Sequence, residues 1–155
     1  MTLQEINNLI NENIFATFGF LDGKGNPSIR RVFCRWHKGI GHHYISTNTS
    51  SMHVQRLLQD NRACLYFDNC QTFEGICLIG TAIVHFDHDH KAFIWDDSDV
   101  QYYPDGVDDE DYCVIEFVAE NGRYYRYDGK GDVSSEEIYK YDNDSEWLNF
   151  WVSFV

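Results

Sequence analysis

Asn26-Pro27-Ser28-Ile29-Arg30-Arg31-Val32-Phe33-Cys34-Arg35-Trp36 decides how this chain is read. Residues 28–36 are rich in β-branched and aromatic side chains, as strands are, and Asp22-Gly23-Lys24-Gly25-Asn26 before them is turn chemistry. Residues 14–21 form a similar run, so the three pieces predict a β-hairpin. The same stretch places three of the chain's 12 Lys and Arg within positions 30–35, although 25 Asp and Glu give the chain a net charge of -13. Local positive charge in so acidic a chain suggests an anion site at Arg30, Arg31 and Arg35; the competing reading pairs these arginines with surface carboxylates. A strict strand period of two puts Arg30 and Arg35 on opposite faces. Both reach one ligand only where a bulge or strand end intervenes.

Outward from this hairpin, Thr2-Leu3-Gln4-Glu5 has capping-box form, and Leu3, Ile6, Leu9 and Ile10 continue it as a short amphipathic helix. A turn at 37–41 leads to the strand Tyr44-Ile45-Ser46-Thr47, and Val54, Leu57 and Leu58 share one face of a helix predicted over 50–59. Residues 63–67 and 76–86 read as strands, with Gly75 and Gly80 as places for a bulge or close backbone approach. Residues 112–118 and 123–127 flank Glu120-Asn121-Gly122, a further hairpin signal. Strands outnumber helices and follow one another through short turns, which excludes a doubly wound parallel sheet. The expected architecture is mainly β, an antiparallel barrel with peripheral helices, in a single domain over residues 1–155. The acidic stretch 96–111 reads as a solvated loop, and Trp147, Leu148 and Trp151 as an apolar helical face used in packing.

The composition is 43% hydrophobic and 16% aromatic with two Pro. That balance excludes disordered, collagen-like and coiled-coil chains. The net charge argues against nucleic acid and anionic membrane as partners. Five cysteines, odd in number and without a CxxC pair, read as reduced and buried. Residues 1–13 lack a signal-peptide pattern. No apolar run is long enough to suggest a membrane span, so a cytoplasmic protein is expected.

Thr47-Asn48-Thr49-Ser50-Ser51 sets hydroxyl and amide side chains immediately before a helix, a candidate phosphate cradle as well as an ordinary cap and turn, with His53 as an additional donor. His85, Asp87, His88, Asp89 and His90, with His42 and His43, have metal-ligand chemistry, but their spacing specifies no converging geometry, and no metal site is assigned. There is no GxSxG elbow, no Walker loop and no identifiable Cys, His and Asp constellation. Any redox chemistry would then belong to a cofactor.

The succession Asn26-Pro27-Ser28-Ile29-Arg30-Arg31-Val32, Tyr44-Ile45-Ser46-Thr47, Ser50-Ser51-Met52-His53-Val54, Asn61-Arg62-Ala63-Cys64-Leu65-Tyr66-Phe67 and Ile79-Gly80-Thr81-Ala82 resembles the pyridoxamine 5′-phosphate oxidase-like, FMN-binding split-barrel family, in particular its short general-stress-protein type. The resemblance covers residues 14–127. It implies a six-stranded antiparallel split barrel that forms a homodimer, with FMN in clefts at the subunit interface. It also implies a flavin-dependent oxidoreductase acting with a small-molecule electron donor and acceptor; the alternative is a flavin- or ligand-binding stress or sensor module without turnover. On the family's pattern, the backbone at Val32 and Phe33 faces the isoalloxazine, Arg30 helps hold the phosphate, Ser46 and Thr47 match the strand-end pair, and Arg35 replaces a substrate-contacting lysine. The phosphate clamp falls on Ser51, Met52 and His53, where a thioether and an imidazole replace two permanent cations. That departure implies weaker or pH-sensitive binding. The oxidases' flavin-contacting glutamine falls on Gly75, and the set that grips pyridoxamine phosphate is missing, so true pyridoxamine phosphate oxidation is not expected.

Overall fold

The computed structural model describes residues 1–144. The capping box forms as read: Thr2 Oγ1 accepts from the Glu5 amide at 3.1 Å, and the Thr2 amide donates to the Glu5 carboxylate at 2.9 Å. This starts α1 (Leu3–Asn11), whose Ile6, Leu9 and Ile10 are buried. The hairpin follows as β1 (Phe15–Leu21) and β2 (Pro27–Lys38), then β3 (His42–Asn48), α2 (Met52–Leu57), β4 (Arg62–Asn69) and β5 (Glu74–His85). Next come α3 (His88–Phe93), two 3₁₀ turns at Asp97–Gln101 and Gly106–Asp108, β6 (Tyr112–Arg126), β7 (Gly129–Val133) and α4 (Ser135–Asp142). All pairings are antiparallel in the order β3-β2-β1-β4-β5-β6-β7, and β3 also pairs with β6. That last pairing closes six strands into a barrel and leaves β7 as an added strand. Inward residues such as Phe18, Ile45, Leu65, Phe67, Leu78 and Phe117 are fully buried and fill it.

Three local readings are corrected. Glu120-Asn121-Gly122 is no turn: β6 runs through it as one strand, and the reversal comes after Arg126. Residues 112–118 pair with β3, while 122–126 pair with β7, so one long strand changes partner along its edge. The irregularity lies in register, where Ile79 pairs with Asn121 but Gly80 with Ala119, leaving Glu120 as the extra residue. Gly80 is required there, because a Cβ would overlap the Val118 carbonyl oxygen.

The acidic stretch is folded rather than solvated. Asp99, Tyr103 and Asp109 are buried, and Ile94, Tyr103, Tyr112 and Val114 form a second small core on the outside of the barrel. Of the cysteines, all free, Cys34 and Cys113 are buried as expected, but Cys64 and Cys77 are half-buried and Cys70 is exposed. Trp147, Leu148 and Trp151 lie outside the described residues. No helix among the described residues is long and apolar enough to cross a membrane.

Candidate functional site

A cavity of about 440 Å³ opens beside β2, with a volume inside the range typical of small-molecule pockets. Arg30, Arg31, Val32, Phe33 and Arg35 from β2, Ser46 and Thr47 from β3, and Ser51 and His53 at α2 all line it. Ser50 does not; it is exposed, and its amide donates to the Asp111 carboxylate at 2.8 Å. Asn48, from the candidate cradle, also lines it, and Phe15, Asp99, Tyr102 and Tyr103, which were not among the residues read from sequence, complete the lining. A larger hollow of about 560 Å³ beside α4 is bordered by Glu120, Glu136 and Asp142, and that charge does not suit an anion.

Arg30 and Arg35 both line this cavity, and β2 is irregular at the second of them. Cys34 pairs with Ile45 and Trp36 with Tyr44, so Arg35 is an unpaired extra residue in the ladder. Its guanidinium lies 4.4 Å from the Phe33 ring, and that of Arg31 lies 4.7 Å from the Phe15 ring. The two phenyl rings meet edge-on at 5.0 Å. The cavity wall is therefore aromatic with cations stacked against it.

The positive charge is smaller than the arginine count suggests. Arg35 forms a close ion pair with the buried carboxylate of Asp99, which largely neutralises it. Arg30 and Arg31 make no ion pair among the described residues. The hydroxyl-rich loop is also partly committed. The Asp111 carboxylate takes the Ser50 amide and the Asn48 side-chain amide, the latter at 2.8 Å, and the Thr49 amide donates to the Asp111 carbonyl at 2.7 Å. The Ser51 amide donates to the Asn48 carbonyl at 3.0 Å, whereas the Ser51 hydroxyl makes no cap bond.

His53 is buried against Thr47, Nε2 to Oγ1 at 2.8 Å, and its Nδ1 is buried with no partner. Burial, then the Arg30 charge, pushes its pKa down to about 4. At pH 6 to 8 the imidazole is then neutral, a hydrogen-bonding group rather than a cation. Arg35 Nε is likewise buried without a partner. Such orphaned polar atoms beside a cavity fit a polar ligand that completes them.

The histidine cluster divides. Glu116 receives His42 Nε2 at 2.6 Å and His85 Nε2 at 2.8 Å; burial pushes its carboxyl up, but these hydrogen bonds outweigh that and hold it below the usual range. His90 stacks on His85 with ring centroids 3.6 Å apart, His88 faces Asp108, and His43 turns into the barrel.

Residues 5–141 match the pyridoxamine 5′-phosphate oxidase-like family. The chain belongs to this family. A Clostridium acetobutylicum protein related to general stress protein 26 of Bacillus subtilis is 36% identical, with 88% of this chain and 96% of that chain covered and a TM-score of 0.82. Two more distant structures share the fold alone. A pyridoxamine 5′-phosphate oxidase-related, FMN-binding protein from Nostoc punctiforme has a TM-score of 0.62 at 13% identity, with 84% of each chain covered. A haem-binding protein from Mycobacterium smegmatis has a TM-score of 0.71 at 16% identity, covering 88% of this chain and 59% of that one. No curated protein matches the sequence. A Cβ at Gly75 would overlap the Tyr66 hydroxyl, and the ring of Tyr66 occupies that space.

Proposed function

We propose that this chain binds FMN in the cavity beside β2 as a homodimer and serves as a flavin-dependent oxidoreductase for a small-molecule donor and acceptor. The observation that carries the reading is the coincidence of two uncommitted arginines, an aromatic wall and the orphaned His53 Nδ1 at one cavity. FMN supplies an anionic tail, a polar ribityl chain and a flat ring, and those are the three kinds of group this lining would accept. Arg30 and Arg31 would hold the phosphate together with the Ser51 hydroxyl, Thr47 and His53 would meet polar atoms, and Val32 and Phe33 would border the ring. When bound, FMN supplies hydride or single-electron transfer. The chain's part is to bind, orient and exclude water; among the described lining residues, the one carboxylate is Asp99, engaged with Arg35, so no side chain is assigned as acid or base.

The homodimer is supported by the outward face of the barrel. Ile29, Gly19, Cys64 and Ile79 lie opposite one another across β2, β1, β4 and β5, with Ile29 69% and Ile79 48% exposed. Phe15, on the same strand as Gly19, is also exposed and lines the cavity, so a second copy covering this face would also wall in the ligand. Five free cysteines fit the reducing conditions of a cytoplasm.

The test is to reconstitute purified apoprotein with FMN and add NADH or NADPH without oxygen. Saturable binding of one FMN per chain with bleaching of the flavin supports the reading. Binding without reduction by NADH or NADPH favours the non-catalytic module, and no saturable binding refutes the flavin reading.

A further inference from the structure

The bulge at Arg35 has an effect inside the barrel. One extra residue lets Cys34 and His37, three apart, both face inward, where His37 pairs in register with His43. Cys34 and His43 are buried among core side chains, and His37 is half-buried. His37 Nδ1 lies 2.7 Å from His43 Nδ1 and 3.5 Å from Cys34 Sγ. The two rings meet at 75°, so their in-plane lone pairs converge. The outer cluster differs: His85 and His90 stack at 1° between planes, and in-plane lone pairs of parallel rings do not meet at one point.

The tautomers are set by the backbone. His43 Nε2 lies 2.7 Å from the Ile40 carbonyl oxygen, an acceptor only, so Nε2 carries the proton and Nδ1 presents a lone pair. The Asn13 carbonyl lies where it can accept an N–H from the other nitrogen of the His37 ring once a proton is placed there. Imidazole held by a backbone carbonyl, with its other nitrogen directed to a shared point, is the outer support that metal-ligating histidines receive. Two nitrogens as close as these need a cation or proton between them, and a thiol borders the same point.

We propose that Cys34, His37 and His43 form a buried three-coordinate site for a cuprous ion. Ligand number and charge select the metal. Zinc in structural sites takes four ligands, whereas among the described residues three donors converge here. A thiolate with a divalent ion would leave one net positive charge in an apolar interior, while a thiolate with Cu(I) is neutral, which a dry site tolerates. Soft thiolate sulfur selects Cu(I), and imidazole accepts it. Loading forms one Cu–S and two Cu–N bonds and breaks the S–H bond of Cys34, releasing one proton to solvent. The proton between the imidazoles moves to the other nitrogen of His37, toward Asn13. Copper enters and stays as Cu(I), so no oxidant or reductant is required. With metal–nitrogen bonds of about 2.0 Å and trigonal angles, the nitrogens must separate to about 3.5 Å, a small rotation of His37.

The test is anaerobic titration of the purified full chain with Cu(I) against bicinchoninate as a competing chelator, followed by X-ray absorption on the loaded protein. The expected result is one Cu(I) retained per chain, with one sulfur and two nitrogen neighbours. Cys34→Ala and His37→Gln should each weaken retention by more than the roughly 10- to 100-fold seen for outer-shell changes, while Cys70→Ser leaves it unchanged. Should Cys34→Ala fail to fold, His37→Gln and the absorption spectrum still decide. Complete stripping by the chelator, equal loss in Cys70→Ser, a sulfur-free spectrum, or preferential uptake of Zn(II) in direct competition would each overturn the proposal.

Discussion

Arg30→Gln tests which side chain holds the anionic tail of the proposed ligand. Arg30 faces the cavity beside His53 and has no carboxylate partner among the described residues, unlike Arg35, which is paired with Asp99. A hydrogen bond to a charged group contributes about 1.5–3 kcal/mol. Arg30 is exposed, so water and salt compete for its guanidinium and the lower end applies. About 1.4 kcal/mol is tenfold in affinity. FMN should therefore bind about tenfold more weakly to Arg30→Gln, while riboflavin, which has the same ring and no phosphate, should change by less than about twofold. Fluorescence quenching of each flavin at low salt measures both. An internal reporter accompanies the change. The Arg30 charge helps hold His53 down near a pKa of about 4, so removing it should raise that value in an NMR titration of the ring proton. Equal weakening of FMN and riboflavin, or an unmoved FMN affinity with a shifted His53, would refute the assignment of Arg30 to the phosphate.

His53 also predicts a pH response. FMN affinity should be equal at pH 6 and pH 8, because the imidazole is neutral at both, and a tighter complex at pH 6 would contradict the burial argument. For stability the sign is opposite to that of a paired histidine: the folded pKa is depressed below the unfolded value of about 6.5. The contribution is thus complete above the unfolded value and declines as pH falls toward the folded one. Urea melts of wild type and His53→Gln between pH 7 and 5 should differ in the slope of stability against pH, wild type losing more as the pH falls. Gly80→Ala should destabilise by about 4 kcal/mol or more, as severe overlaps do. The added Cβ meets the Val118 carbonyl and the bulge must open, so an unchanged melting temperature would remove the close-approach argument. Ile29→Glu should leave the monomer fold intact by circular dichroism and shift sedimentation from dimer to monomer, and a persistent dimer would place the subunit contact elsewhere.

Much of the barrel was legible because its signals are local. The β-branched and aromatic runs at 14–21 and 28–36, the Asp22–Asn26 turn and the Thr2 capping box each act over a few residues, and the hairpin, its turn and the cap form as read. Asn121-Gly122 misled for the converse reason. A turn signal acts where the backbone is free to reverse, but residues 121–125 are paired with β5 on one edge, and 122–126 with β7 on the other, so long-range ladders override it. Asp99 was missed because acidic composition resembles a solvated surface, while its partner Arg35 is far away in sequence. The apolar Val100, Tyr102 and Tyr103 amid those acids were the available sign that the segment folds back.

The register slip at Arg35 explains why the binding chemistry was only half visible. Under a strict period of two, Cys34 and Trp36 would face inward, His37 would face outward with Phe33 and Arg35, and no thiol–imidazole pair would exist. The observed pairing instead returns His37 to the interior opposite His43 and leaves Arg35 and Trp36 together outside, Arg35 at the cavity and Trp36 in the second core. One added residue therefore builds the inner cluster, on the face of β2 opposite the one where Arg35 lines the cavity. A change that regularises β2 must turn His37 away from His43 and disturb the inner cluster, whereas a side-chain change at Arg30 should disturb the cavity alone. That separation is a physical reason to treat the outer cavity and the inner Cys34–His37–His43 cluster as independently testable sites on one strand.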